Sequence, residues 1–224
     1  YCTELQSDCF GLSRNKPPIR IGIPPMLSTV FFPELLTAFQ KEYPDVPVML
    51  EEYASVRACN LVQNDSLDLA LVNMEQYNID KFHHALLAND QVVFCVSKEH
   101  PLVRKEEATI QDMAQIPLIF FNGDSVQNQL LKIRFELEGF TPHVLMHNSQ
   151  IYTTLQFLKN NNCGCFLYSS MTDKFPDIVQ LPLKPPLFIK IGMIWKKGKY
   201  ISNDMQTFLN FTRKYYKDHP LIRE

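Results

Sequence analysis

The sequence predicts an α/β protein built as two Rossmann-like lobes joined by two crossover strands. Residues 19–72 and 117–168 each read as strand, helix, strand, helix, strand over almost equal lengths. Such repeated alternation points to parallel sheets covered by helices. Two extended β-rich runs, 82–97 and 187–195, stand where the chain must leave the first unit and return to it. A last helix over 202–217 carries Met205, Phe208, Phe211 and Tyr215 on one face and is expected to pack back on the first unit. The first lobe is then discontinuous, residues 19–95 plus 193–224, and residues 96–192 form the second.

Local pattern justifies each element. IRIGI at 19–23 is a short apolar strand that runs into Pro24 and Pro25. A helix is expected from Val30 to Tyr43, because Phe32, Leu35, Leu36, Phe39 and Tyr43 recur at spacings of three and four. Pro33 is tolerated in its first turn, where backbone N–H groups have no intrahelical partner. Pro44 and Pro47 close that segment and open a strand at 48–53. A short helix over 55–62 and an Asn64-Asp65-Ser66 turn lead to LDLALV at 67–72, whose last four residues are apolar without alternation, as in a strand covered on both faces. In the second unit the expected strands are 117–121, 143–147 and 163–168, and the helices are 124–138, stopped by Gly139, and 149–159.

Composition narrows the functional classes. The chain has 224 residues, 46% hydrophobic and 21% charged, which suits a globular protein able to bury two cores. Lys plus Arg number 22 against 24 Asp plus Glu, for a net charge of -2, and no basic stripe appears. This chain alone thus presents no electrostatic footprint for nucleic acid. No apolar run approaches the ~20 residues that span a bilayer, and YCTELQSDCF lacks the basic and apolar regions of a signal peptide. No membrane association and a cytoplasmic location are expected. Six cysteines at Cys2, Cys9, Cys59, Cys95, Cys163 and Cys165 match no small disulfide scaffold, so buried thiols are the expectation. Cys163 and Cys165 share one strand face at roughly 6.5–7 Å between Cα atoms, the edge of disulfide geometry. The motifs GxSxG, HExxH and GxGxxG and the phosphate-binding loop are missing, and His83 and His84 face opposite ways on an extended segment. No catalytic residue, metal or cofactor is expected, and the chain is read as a binding module rather than an enzyme.

The candidate site lies at the turns between strands and helices. In open α/β sheets a ligand binds outside the carboxyl ends of the strands, where helix N-termini point. Four such turns carry hydroxyls: Ser28 with Thr29, Ser55, Ser125 and Ser149. Unpaired N–H groups and hydroxyls at a helix start suit a carboxylate or similar anion. The same residues are also favoured N-caps, worth about 1 kcal/mol each with no ligand present. Their recurrence at corresponding turns of two units favours a small, anionic ligand held in one cleft.

Four stretches resemble the effector-binding domain of LysR-type transcriptional regulators: FPELLTAFQKEYPDVPV at 32–48, LDLALV at 67–72, VVFCVSKEHPL at 92–102 and LQFLKNNNCGCFL at 155–167. The resemblance covers residues 19–219. It implies a periplasmic-binding-protein type II-like fold, a small-molecule effector between the lobes, and bacterial transcription control. It also implies that DNA is bound only through an N-terminal helix-turn-helix domain absent from this chain, with residues 1–18 a linker remnant. Carried over by position, the effector-contacting set is Met26, Leu27, Ser28, Thr29, Ser55, Asn73, Phe121, Asn122, Ser125, Asn148 and Ser149. Met26 stands where many relatives have a small polar residue, and Phe120 and Phe121 add aromatic bulk, so an organic acid with an apolar body is expected over sulfate. The peroxide-sensing branch uses a cysteine pair in the second lobe, and FFNGDSVQNQLL has none. The family also implies a homodimer or tetramer, pairing the helices 30–43 and 124–138 with Phe31 and Leu131 as interface candidates. A transporter's solute-binding protein shares the two-lobe architecture and is the alternative.

Overall fold

The computed structural model describes residues 16–75, 78–122 and 125–220. The proposed linker remnant lies almost wholly outside these residues, as do Cys2, Cys9 and Asp124. The first unit runs β1 (Ile19–Ile23), α1 (Pro25–Val30), α2 (Phe32–Glu42), β2 (Val48–Glu52), α3 (Ser55–Gln63) and β3 (Leu69–Asn73). The long strand β4 (Phe82–Ser97) crosses over, followed by β5 (Ala108–Thr109) and α4 (Ile110–Ala114). The second unit is β6 (Leu118–Phe120), α5 (Val126–Leu137), β7 (Val144–His147), α6 (Ile151–Asn160) and β8 (Gly164–Tyr168). After α7 (Ser169–Thr172), β9 (Ile178–Lys196) returns and α8 (Asn203–Asp218) ends the described chain.

Among the described residues the strands follow the order β2-β1-β3-β9-β4-β8-β6-β7, with β5 paired to β9. Pairing within each unit is parallel: β1 to β2 and β3, and β6 to β7 and β8. All five positions of β3 and of β8 are buried, which explains why neither shows polar alternation. The crossing strands β4 and β9 pair antiparallel along most of their length. β9 joins the first unit through Leu69↔Trp195 to Asn73↔Ile191, and β4 joins the second through Val92↔Tyr168 to Cys95↔Cys165. Two parallel sheets with helical cover, bridged by two strands, give the periplasmic-binding-protein type II-like fold.

The last helix packs on the first unit, as its apolar face requires. Phe208 is fully buried, with its ring 5.0 Å from that of Phe39, and the Tyr216 hydroxyl donates to the Phe31 carbonyl at 2.7 Å. Gly139 ends α5 at φ +75°, a conformation glycine adopts without steric cost.

Four expectations are corrected. The expected helix is present as α2, but a separate short helix, α1, precedes it from Pro25, because Pro24 is extended (ψ 145°) and Pro25 occupies the first helical position, where its missing N–H is harmless. β9 starts at Ile178, nine residues before the expected 187; prolines at 182, 185 and 186 mask it, yet Pro182 still pairs with Val93 at a register shift. Phe31 and Leu131 cannot serve as interface residues in this fold, since both side chains are buried in the core. Phe120 is likewise a core residue, with its ring 5.4 Å from that of Phe166.

Candidate functional site

A cavity of about 270 Å³ opens between the two units. It is bounded by residues at the carboxyl ends of six strands: Pro24 and Pro25 after β1, Glu52 and Tyr53 at β2, Asn73 at β3, Phe121 and Asn122 after β6, Ser149 after β7, and Tyr168 at β8. The first turns of α3 and α5 complete it with Ser55, Arg57, Ser125, Val126 and Gln127. Parallel strands on both sides present their carboxyl ends, and hence helix N-termini, to one space. The unpaired backbone N–H groups and positive dipole ends of α3 and α5 therefore border the cavity.

The hydroxyls are not caps. Among these turns neither Ser55 nor Ser125 makes a side-chain capping bond, and Ser149 precedes the cap of α6, which is Gln150. Ser55 instead accepts the Asn73 backbone N–H at 3.1 Å, leaving its own proton to donate. Asn122 Nδ2 donates to Ser149 Oγ at 3.3 Å, tying the β6 and β7 turns together. Asn128 holds the same turn from behind, donating to the carbonyls of Phe121 and of Asn122 (3.0 Å for the latter).

Of the residues expected from sequence, Met26, Ser55, Asn73, Phe121, Asn122, Ser125 and Ser149 are brought to this cavity. Leu27, Ser28, Thr29 and Asn148 are not. Leu27 is fully buried in the core. Thr29 Oγ1 bonds to the Pro25 carbonyl at 2.9 Å and faces a neighbouring groove. Ser28 Oγ lies within reach of that carbonyl and of the Glu52 carboxylate. Asn148 is consumed by its own turn, accepting from the Gln150 N–H at 3.1 Å and donating to Thr154 Oγ1 at 3.2 Å. Its role is to shape the loop.

Sequence reasoning missed Glu52, Tyr53, Arg57, Gln127 and Tyr168. The strand-end rule, applied at β2 and β8 as well, would have found Glu52, Tyr53 and Tyr168. Gln127 is only 2% exposed; its Nε2 donates to the Phe166 carbonyl at 3.0 Å and its buried Oε1 has no hydrogen-bond partner among the described residues. The Arg57 guanidinium stands over the Tyr53 ring, 5.1 Å from its centroid. Burial pushes the Tyr168 hydroxyl well above its ordinary pKa, with the Asn73 amide opposing and Asp90 adding to the shift. Tyr168 is thus a neutral phenol at physiological pH. Behind it, Asp90 is fully buried and accepts from Ser170 Oγ at 2.6 Å; burial raises its pKa against these bonds.

None of the described thiols lines the cavity. Cys59, Cys95, Cys163 and Cys165 are free and buried, and burial pushes Cys59 up to about 12 and raises Cys163 and Cys165. Among the described residues no three His, Cys, Asp or Glu side chains group as a metal site.

The model of the LysR substrate binding domain matches residues 13–217. The chain belongs to this family. A LysR substrate-binding domain senses a small molecule and regulates transcription, which decides against the transporter alternative. Among curated relatives, the HTH-type transcriptional regulator YwbI of Bacillus subtilis is 28% identical over 208 residues, covering 91% of this chain and 68% of that protein. The transcriptional dual regulator GltC of the same organism is 21% identical, covering 92% and 69%. Among solved structures, the Synechocystis CcmR regulatory domain in complex with 2-PG superposes with a TM-score of 0.82 at 18% identity, covering 92% of this chain and all of that one. The effector binding domain of QuiR in complex with shikimate gives 0.76 at 20% identity, with the same coverage. At these identities the two structures speak for the fold.

Proposed function

We propose that this LysR-type domain binds an organic acid with an apolar body in the cavity between its lobes. The observation that carries the reading is the cavity itself: the amino ends of α3 and α5 border it from opposite sides. A volume of about 270 Å³ sits just below the usual range for metabolite pockets, which favours a small ligand. The groove beside it, lined by Ile151, Tyr152, Leu155 and Phe175, supplies an apolar face for the rest of the molecule. Met26, Ser55, Asn73, Phe121, Asn122, Ser125 and Ser149 are the proposed contacts. QuiR and CcmR, whose structures hold shikimate and 2-PG, support an acid as the ligand class.

The lobe division belongs to the same proposal. The proposed lobes are residues 19–95 plus 193–224 and residues 96–192, and the antiparallel pairing of β4 with β9 between the two units supports two crossing strands. A ligand touching both lobes favours one angle between them, by no more than its differential affinity for the two arrangements. In the full protein, that angle repositions DNA-binding modules carried by an N-terminal helix-turn-helix domain in a cytoplasmic homodimer or tetramer. The chain acts by binding and not by catalysis: the cavity wall holds mainly neutral hydroxyl, amide and apolar groups.

Calorimetric titration with a panel of organic acids tests the reading. Saturable binding that is abolished by Ser125→Trp, which fills the cavity, is expected. Tight binding of inorganic sulfate with none of organic acids, or undiminished binding by Ser125→Trp, overturns it.

A further inference from the structure

Resting on that acid-binding reading, we infer that the effector carries a hydrogen-bond donor as well as its carboxylate, as an amino acid or a hydroxy acid does, and that Glu52 reads this donor while Arg57 reads the carboxylate. A carboxylate and a guanidinium lining one small cavity lead to this class. An unsubstituted carboxylate offers only further acceptors.

Glu52 adds a formal negative charge at the junction of the cavity and the apolar groove, lining both. The Ser28 hydroxyl is its neutral neighbour, and among the described residues no ion pair involves Glu52. A ligand that is only an anion meets a like charge there. Arg57, also without an ion pair among the described residues, borders the same cavity and offers the complementary group for the carboxylate. One acid and one base in a shared wall cancel in net charge, which favours a ligand carrying both kinds of group over a bare anion. The ammonium of an amino acid and the hydroxyl of a hydroxy acid are both donors that fit.

The test is calorimetric titration of this chain with matched acids: alanine, lactate and propionate; glutamate, hydroxyglutarate and glutarate; phenylalanine, phenyllactate and phenylpropionate. In a set that binds, the amino or hydroxy member is expected to bind at least about tenfold more tightly than its unsubstituted counterpart. Which of the two leads identifies the donor as ammonium or hydroxyl. Glu52→Gln, at an exposed position, is expected to shrink that preference toward unity, while Arg57→Met weakens all members alike. Equal binding of unsubstituted acids overturns the inference and leaves the acid-binding reading standing. A preference unchanged by Glu52→Gln overturns the assignment to Glu52. Failure of every acid to bind overturns both.

Discussion

Asp68 offers the sharpest quantitative test of how the first lobe is held. Its carboxylate accepts from Arg20 three times, from Nε at 3.1 Å and from Nη2 and the backbone N–H at 2.9 Å, and from Lys199 Nζ at 3.0 Å. These contacts tie β1 and the entry to β3 to the segment after β9. Burial alone would raise the pKa of Asp68, but the Arg20 and Lys199 bonds outweigh it and bring it from 3.8 to about 2. The Arg20 guanidinium shifts upward for the same pairing. At 1.36 kcal/mol for a tenfold change, the lowering corresponds to about 2.5 kcal/mol of native-state stability. The carboxylate is 20% exposed and the Arg20 side chain 37%, so solvent screening reduces this to about 1.5–2 kcal/mol.

Asp68→Asn is therefore expected to lower stability by about that amount near neutral pH in urea denaturation. Because the folded pKa lies below the unfolded value, the contribution is complete above about pH 5 and fades as the pH falls through 3.8 toward about 2. The gap between parent and variant must close over the same window. A variant as stable as the parent at neutral pH, or a gap that persists at acid pH, would refute the reasoning.

Phe208→Ala removes a fully buried ring from the contact between α8 and α2 and is expected to destabilise the domain by about 3–5 kcal/mol, read as a lower urea midpoint. Gly164→Ala places a Cβ 2.2 Å from the Phe94 ring, inside a closed core, so a loss of about 1–3 kcal/mol is expected from denaturation. Gln127→Met removes the buried bond to the Phe166 carbonyl, and a loss of about 1–3 kcal/mol is expected from urea denaturation. Burial of the described thiols predicts no change in mobility on a non-reducing gel after mild peroxide at those cysteines, and a shift that disappears on replacing Cys95 and Cys165 would contradict this.

Much of the architecture was readable along the chain because it is written in short-range periods. IRIGI and the run 82–97 were placed to the residue, and the apolar stripe of 202–217 named both a helix and the face it buries, since alternation and three-four spacing need no partner to be visible. The family resemblance and the neutral composition of the turns point to a ligand-sensing module. What the sequence by itself could not decide was direction. Leu27 and Met26 are neighbours, yet one enters the core and the other the cavity, because Pro25 starts a helix there and a helix sends successive side chains about 100° apart. Phe31 and Leu131 read as surface candidates and are buried for the same reason. Gln127 and Glu52 gain their surroundings only in the tertiary structure: Gln127 reaches the Phe166 carbonyl of β8, and Glu52 shares one cavity with Phe121 and Ser149 of the second unit. Local pattern determined the elements, and long-range pairing of two lobes determined which of their atoms were left without a partner.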